Sequence, residues 1–201
     1  MITLLGAQGF IGSHLLKRLS HLKEACYAPH RSEDLSGKRL GKVIYCIGVT
    51  ADFRERPLDT VDAHVCKLLE VIRNCEWEKI IYLSSTRIYN STLAIAKEES
   101  SIQVNPADFS DLYNISKLMG EALINTLGNS GCVVRLSNVY GPDRDSSNFL
   151  AHILRDALSK NSITLESSMD SEKDYISVAD VVDLLLKIAE KGSRKIYNVA
   201  S

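Results

Sequence analysis

The sequence has little of what membrane-spanning and nucleic-acid-binding proteins carry in excess. No apolar run reaches the roughly 18 residues that a membrane-spanning helix requires. Lys and Arg total 24 against 25 Asp and Glu, a formal net charge of −1, so no overall positive field exists to collect nucleic acid or anionic lipid. We therefore expect neither a nucleic acid nor a membrane as a partner.

Cysteine is scarce, and its spacing fits neither a disulfide framework nor a metal site. The five cysteines are odd in number, and no two of them form a C-x-x-C pair. Cys26, Cys46 and Cys132 lie in apolar, strand-like runs. We expect buried free thiols in a reducing compartment, and no metal ion. The chain start shows no charged segment or cleavage pattern, so no signal peptide is predicted and a cytoplasmic location is expected.

What the sequence does contain is an alternation of strand and helix patterns within 201 residues, 45% of them apolar and 24% charged. Short apolar runs predict buried strands at 2–5, 25–28, 43–47, 79–83 and 132–136. Amphipathic periodicity predicts helices at 10–22, 57–74, 111–127, 147–159 and 181–190, the last capped by Asp180. Residues 31–42 and 90–110 are expected to be loops. The alternation predicts an α/β fold, a Rossmann-type doubly wound parallel sheet with its ligand at the carboxyl ends of the strands.

The first strand pattern runs directly into a glycine-rich turn, G-x-x-G-x-x-G. Gly6 allows a tight turn, Gly9 lets the backbone approach a diphosphate, and Gly12 lets the helix pack closely on the strand. The free N–H groups at the helix start then suit an anion. A purely structural turn is the alternative, but the position between strand and helix favours a dinucleotide site. The residues expected to touch the cofactor here are Gly6, Gly9, Phe10, Ile11 and Gly12, joined by Ile47 and Gly48 after the third strand.

The residue that would hold the adenine ribose is expected just after the second predicted strand. An acidic residue is expected about 20 residues past the turn. The sequence there reads Ala28-Pro29-His30-Arg31-Ser32, with no acid until Glu33. Arg31 suits the 2′-phosphate of NADP, which gives a slight preference for NADP over NAD. The alternative is an arginine in a solvated loop.

A tyrosine and a lysine, Tyr113 and Lys117, stand one helical turn apart. Such a pair is common by chance, but three further segments accompany it. They are Ser84-Ser85-Thr86-Arg87-Ile88-Tyr89, Arg135-Leu136-Ser137-Asn138-Val139-Tyr140-Gly141-Pro142 and Lys173-Asp174-Tyr175-Ile176-Ser177-Val178-Ala179-Asp180. In this order behind the glycine turn, they resemble the extended short-chain dehydrogenase/reductase family, the NAD-dependent epimerase/dehydratase group that acts on nucleotide sugars. The resemblance covers residues 2–201.

The resemblance implies an NAD(P)-dependent reductase or epimerase of a nucleotide-linked sugar. Tyr113 would be the general acid/base, and Lys117 would bind the nicotinamide ribose and lower the pKa of Tyr113, since a nearby ammonium favours the phenolate. Ser85 would hydrogen-bond the reacting oxygen, with Ser84 or Thr86 as alternatives for that role. A non-catalytic NAD(P)-binding regulator or scaffold is the alternative function, although such relatives usually lose the Tyr or the Lys.

The resemblance also implies substrate contacts and an assembly. The residues implied to contact the substrate are Ser85, Thr86, Asn138 and Lys173. For Asn138 the alternative is a turn residue that satisfies backbone groups, and for Lys173 it is a solvated lysine. A homodimer is implied, with the helices 57–74 and 111–127 of two copies forming a four-helix bundle. The alternative is that residues such as Leu112, Ile115 and Met119 are buried within one monomer.

Three departures from the family limit what is carried over. Only about 12 residues separate Arg31 from Val43, where the family normally has a helix and a further strand, so that strand is expected to be missing and the adenine side of the cofactor pocket to be open. The chain is expected to form one domain, 1–201, in which the segment 142–178 supplies only a small substrate-binding part. Thr86 and Arg87 stand where the sugar 4,6-dehydratases carry Asp and Glu, so dehydration is not expected. The open pocket favours a reductase, which exchanges its cofactor, over an epimerase.

Overall fold

Six parallel strands form the centre of the protein. The computed structural model describes residues 1–50, 52–92, 95–142, 149–165 and 172–200. The strands of the sheet are β1 (Ile2–Leu5), β2 (Cys26–Tyr27), β3 (Arg39–Tyr45), β4 (Glu76–Ser85), β5 (Gly131–Leu136) and β8 (Ile196–Val199). Their order in the sheet is β2-β1-β3-β4-β5-β8. Two further strands, β6 (Asn138–Tyr140) and β7 (Tyr175–Ser177), form a separate parallel pair.

Helices cover both faces of the sheet. They are α1 (Phe10–Leu22), α2 (Pro57–Val61), α3 (Lys67–Asn74), α4 (Leu112–Asn125), α5 (Phe149–Lys160) and α6 (Val178–Lys191). A π-helical turn, Asp62–Cys66, joins α2 to α3 without a break. Leu15 of α1 and Leu185 of α6 belong to one buried cluster, whereas Leu68 of α3 and Ile124 of α4 belong to the other. The predicted doubly wound arrangement is therefore confirmed.

The strands divide their side chains between these two clusters because successive residues of a strand point to opposite faces. In β1, Leu4 joins the α1–α6 cluster and its neighbour Leu5 joins the α3–α4 cluster. Burying a leucine contributes about 1.5–3 kcal/mol, so each strand stabilises both layers. The chain leaves β1 toward β2 on one side and returns to β3 on the other. This reversal places a crevice at the carboxyl ends of β1 and β3.

The strand expected to be missing is absent, because residues 28–38 contain neither helix nor strand. The predicted loop 31–42 is nevertheless wrong for its last four residues, since β3 begins at Arg39. Gly41, interpreted from the sequence as a loop residue, lies inside β3 at a register irregularity with a φ of +59°. A Cβ at Gly41 would approach the carbonyl oxygen of Met1 to 2.7 Å, so only glycine fits this close contact between the strands.

The start of the last helix is also corrected. α6 begins at Val178, three residues before the predicted start, and its N-cap is Ser177 rather than Asp180. The Ser177 hydroxyl oxygen accepts a hydrogen bond from the backbone N–H of Asp180 at 3.1 Å. Of the predicted helix 147–159, residues 147 and 148 lie outside the described residues, and α5 covers 149–160.

All five cysteines are free. Cys132 is buried as expected, whereas Cys26, Cys46 and Cys75 are half-buried. Cys66 is exposed, so the expectation of burial is wrong for that thiol. Burial raises the pKa of Cys46 to about 12 and that of Cys132 to about 11, which makes both poor nucleophiles near neutral pH. In the described part of the chain, no helix is both long and apolar enough to cross a bilayer.

Candidate active site

The glycine turn shapes the floor of the crevice beside β1. Gly6 has a φ of +86°, and a Cβ there would lie 2.9 Å from the backbone of Cys46 and Ile47 at the end of β3. A Cβ on Gly12 would overlap the Gly6 carbonyl oxygen. The backbone N–H of Gly9 donates to that same oxygen at 3.0 Å, and Gly9 is the N-cap of α1 without a side-chain cap. The first N–H groups of α1 are thus left for an anion.

Phe10 and Ile11 contribute to this turn through their backbone. Both side chains pack against the α1–α6 cluster rather than into the crevice. The ring of Phe10 also lies edge-on to His14, with the ring centroids 5.1 Å apart. Any contact of these two residues with a diphosphate would therefore be made by their N–H groups.

The crevice continues into a cleft of about 470 Å³, a size typical of sites for small molecules and cofactors. Its walls come from the glycine turn, the loop 29–36, the end of β3 at residues 46–49, and one face of the helical segment 56–75. Ile47, Gly48 and Arg31, all predicted cofactor contacts, line it. Since residues 28–38 form no helix or strand, a loop takes the place of a βα unit on the adenine side.

The acidic residue of that loop, Glu33, is bonded to three neighbouring residues. The Glu33 carboxylate accepts hydrogen bonds from the Tyr27 hydroxyl at 2.6 Å and from the His30 N–H at 3.2 Å, and it pairs with Lys38. The hydrogen bonds from Lys38 and Tyr27 lower the pKa of Glu33 to about 2. Glu33 therefore holds the loop together, while the Arg31 side chain lines the cleft beside it.

The predicted catalytic residues meet where β4 ends. Tyr113, in the first turn of α4, is 5% exposed, and its side chain lies next to Ser85, the last residue of β4, close enough for the two hydroxyls to interact. The Ser85 hydroxyl oxygen also accepts the backbone N–H of Arg87 at 3.2 Å. The structure thus brings Ser85, rather than Ser84 or Thr86, to the tyrosine. Thr86 donates instead to the Leu136 carbonyl oxygen at 3.4 Å.

Lys117 is buried one turn further along α4. Its Nζ donates to the Leu83 carbonyl oxygen at 2.9 Å and lies 6.0 Å from the centroid of the Tyr113 ring. Burial lowers the pKa of Lys117 to about 7, although the negative charges of Glu121 and Cys46 oppose this decrease. A Cβ on Gly48 would come within 3.5 Å of the lysine nitrogen, so the cleft and the buried lysine adjoin at this glycine.

The electrostatics of Tyr113 differ from the expectation. Burial raises the pKa of Tyr113, while the interaction with the Ser85 hydroxyl and the positive charge of Arg87 oppose the rise. Lys117 is not among the groups that lower it. Its contact with a nicotinamide ribose stays a prediction.

A buried histidine that the sequence interpretation missed holds these segments together. His64 lies in the π-helical turn and is fully buried. Its Nε2 accepts the backbone N–H of Val49 at 3.2 Å, so its Nδ1–H donates to the Ser116 hydroxyl at 2.8 Å. The imidazole meets the Tyr113 ring edge-on, with centroids 5.3 Å apart. Burial and the charge of Lys117 lower the pKa of His64 to about 2, which keeps the ring neutral.

The two remaining substrate candidates are held by protein contacts. The Asn138 amide donates to the Asp174 carbonyl oxygen at 2.9 Å and joins β6 to β7, which is the structural alternative considered for it. The Lys173 ammonium lies 4.4 Å from the centroid of the Phe149 ring on α5. Contact of either residue with a substrate stays a prediction.

A buried ion pair fixes α4 against the sheet beneath the tyrosine. Arg135 of β5 and Glu121 of α4 pair with both side chains only 4% exposed. The same guanidinium donates to the Tyr89 hydroxyl at 2.6 Å and to the Glu98 carbonyl oxygen at 3.1 Å. Removing one member would leave a buried charge, at a cost of about 3–5 kcal/mol. The pair therefore anchors the segment that follows Ser85.

Comparisons with known proteins agree with this architecture. The model of the NAD dependent epimerase/dehydratase family matches residues 2–200. A dTDP-4-dehydro-6-deoxy-D-allose reductase from a Streptomyces species is 24% identical over 97% of this chain and 74% of its own length. A UDP-D-apiose/UDP-D-xylose synthase from Arabidopsis thaliana is 22% identical over 100% of this chain and 70% of its own.

Solved structures show the same fold. RMD from Pseudomonas aeruginosa, determined with NADPH, superposes with a TM-score of 0.76 at 23% identity over 100% of this chain and 78% of that one. A UDP-N-acetylglucosamine 4-epimerase from Methanobrevibacter ruminantium superposes with a TM-score of 0.82 at 19% identity over 99% of this chain and 76% of that one. With a family model that spans nearly every residue, the chain belongs to the NAD-dependent epimerase/dehydratase family, a group of enzymes within the extended short-chain dehydrogenase/reductases.

Proposed function

We propose that this protein transfers hydride between NAD(P) and the sugar of a nucleotide-linked substrate, as a keto-sugar reductase or an epimerase, with Tyr113 as the acid/base. The observation that carries the proposal is the position of Tyr113 next to Ser85 at the end of β4, beside the buried Lys117 and the open side of Gly48. A tyrosine and a serine placed in this way present two hydroxyls to one reacting oxygen.

The residues present fit a dinucleotide. Gly6 and Gly12 leave no room for a side chain, which keeps the start of α1 open to a diphosphate. The hydroxyl oxygens of Ser84 and Ser137, at the carboxyl ends of β4 and β5, are buried with no hydrogen-bond partner among the described residues. Such atoms are typical of positions where a bound molecule or water completes the bonding. The nicotinamide of NAD(P), when bound, donates or accepts the hydride.

The chain's own residues handle the proton. Because burial raises the pKa of Tyr113, the phenol carries its proton at neutral pH, which suits donation to a keto oxygen during reduction. Ser85 holds that oxygen against the phenol. Lys117 supports the cofactor ribose from beneath Gly48, and His64 fixes α4 to the cleft wall at Val49.

Reduction with exchange of cofactor is the favoured reaction. On the adenine side of the cleft, the loop 29–36 stands in place of a βα unit, which favours release of the cofactor after each turnover. The Streptomyces relative carries the name of a reductase. Thr86 and Arg87 supply no carboxyl group for the elimination of water, although a 5,6-dehydratase is among the similar structures.

The test is turnover of UDP- and dTDP-linked hexoses and 4-keto-hexoses, followed by the absorbance of NAD(P)H. Tyr113→Phe is expected to lower the rate by about 10²–10⁴-fold without loss of fold. Tyr197→Phe is the matched control, because its hydroxyl accepts two backbone N–H groups at residues 193 and 194 and takes no part in the site. An unchanged rate in Tyr113→Phe would refute the acid/base role. Tight cofactor binding without any turnover would favour the regulator or scaffold.

The cofactor is proposed to be NADP in preference to NAD, on the strength of Arg31. Arg31 lines the cleft on the side where the carboxylate of Glu33 is already occupied by Tyr27 and Lys38. Arg31→Ala is expected to weaken NADPH binding by about tenfold, the loss of one charge-assisted contact, and to leave NADH unchanged. Arg39→Ala, at the start of β3 and outside the cleft lining, removes the same charge and serves as the control. Equal weakening for both cofactors would contradict the assignment.

The substrate part and the assembly complete the proposal. α5 with the β6–β7 pair forms the substrate-binding part of the segment 142–178; residues 143–148 and 166–171 lie outside the described residues. Two copies pair through the helical face made by α2, the π-helical turn, α3 and α4. Leu58 is 84% exposed and Met119 is 51% exposed on this surface, so it offers an apolar face to a second copy.

A further inference from the structure

An aromatic ring in contact with two arginines lies next to the proposed acid/base. Phe53 is 1% exposed, and its ring centroid lies 5.3 Å from that of Tyr113. The guanidinium carbon of Arg87 lies 4.6 Å from the Phe53 centroid and 5.3 Å from the Tyr113 centroid. The guanidinium carbon of Arg54 lies 4.5 Å from the Phe53 centroid. Two cations therefore share one aromatic platform beside the reacting groups.

These two cations lack the carboxylate partners that four other arginines of the chain have. Within the described residues, Arg54 and Arg87 have no carboxylate within 4.0 Å, whereas the arginines with such a partner are Arg18, Arg39, Arg56 and Arg135. The nearby Asp111 already accepts the Asn105 N–H and the Asn114 amide. Burial and the charge of Arg54 lower the pKa of Arg87, so the two guanidiniums repel each other.

We infer that Arg54 and Arg87 form a binding subsite for a carboxylate carried by the sugar of the substrate. The inference rests on the proposed function, because it uses Tyr113 to locate the reacting carbon. A planar guanidinium binds a carboxylate through two parallel hydrogen bonds, and such a ligand would cancel the repulsion between the two cations. Since Arg87 contacts the Tyr113 ring itself, the anion it binds lies on the sugar that reacts. The preferred substrates are thus nucleotide-linked uronic acids or their keto forms.

The experiment compares UDP-glucuronate with UDP-glucose, which share the nucleotide and diphosphate and differ in the carboxylate. Dissociation constants are measured by calorimetry on the whole chain, with and without saturating NADPH. UDP-glucuronate is expected to bind about tenfold more tightly or better. Arg87→Gln and Arg54→Gln should each reduce this preference, and the double variant should abolish it. Arg39→Gln, an exposed arginine at the far end of β3, should retain it.

The outcomes separate this inference from the proposed function. The carboxylate subsite would be overturned if the two nucleotide sugars bound equally well or if neither bound. It would also be overturned if Arg87→Gln weakened the binding of both equally, because the arginine would then bind the diphosphate that they share. Failure of NADPH and NADH to bind would overturn the proposed function. The sugar comparison without cofactor still tests the subsite in that case. A tenfold preference that only the two arginine variants remove would support it.

Discussion

The buried Lys117 is expected to destabilise the free protein, and replacing it with methionine should reveal the cost. Its pKa of about 7 in the fold lies below the value of about 10.4 for an unfolded lysine, because burial disfavours the ammonium. The unfolded chain therefore binds more protons between these two values, and the free energy of unfolding rises with pH in that window. At pH 7 the difference corresponds to about 4 kcal/mol. Lys117→Met removes this penalty and also removes the group proposed to hold the cofactor ribose.

The assay is urea unfolding of wild type and Lys117→Met, followed by the fluorescence of the single tryptophan, Trp77. The stability advantage of the variant should shrink by about 2 kcal/mol between about pH 6 and about pH 8.5, as the lysine loses its proton in the fold. This slope is diagnostic, because imperfect packing of methionine shifts the advantage equally at every pH. Lys191→Met, at an exposed lysine, should show no such slope. A pH-independent difference between wild type and Lys117→Met would refute the reasoning on burial. Retention of full activity by the variant would refute the proposed role of Lys117 in holding the cofactor ribose.

Three further substitutions test the site and the assembly. His64→Ala leaves the buried N–H of Val49 without an acceptor, while the Ser116 hydroxyl keeps its bond to the Tyr113 carbonyl oxygen. The variant should lose about 1–3 kcal/mol of the free energy of unfolding and part of its kcat, whereas retention of both would show that the histidine does not position α4. Gly12→Ala places a Cβ on the Gly6 carbonyl oxygen; it should abolish cofactor binding in a dye-displacement or calorimetric titration, and normal affinity would contradict the proposed turn. Met119→Glu puts a charge on the exposed face of α4 and should shift the protein from dimer to monomer in sedimentation analysis, while an unchanged sedimentation coefficient would exclude that face.

The elements that the sequence predicts best are those whose pattern is repeated and local. Helix α1 matches its predicted bounds, because apolar residues at helical spacing follow a glycine turn that marks the start. The Ser85–Tyr113 contact was likewise expected, since both residues belong to segments that resemble the family. The missing strand followed from counting residues between Arg31 and Val43, which leave no length for a βα unit.

The features that the sequence missed depend on contacts between distant segments. Gly41 reads as a loop residue, yet it lies in β3 because the backbone of Met1 passes too close for any side chain. His64 is one histidine in an apolar helix, and no periodicity marks a π-helical turn or the pairing of its imidazole with Val49 and Ser116. The sequence predicted Asp180 as the N-cap of the last helix, but serine suits that position equally well. Only the hydrogen bond from the Asp180 N–H to the Ser177 hydroxyl identifies Ser177 as the cap.

The short β2 has a consequence for how the protein behaves at high concentration. Only Cys26 and Tyr27 form this strand, they pair with the first two residues of β1, and Pro29 follows closely. An edge strand of two residues, followed closely by a proline that has no backbone N–H, presents few free backbone groups to which another chain could add a strand. Loss of the outer βα unit thus does not create a template for aggregation on that side of the molecule.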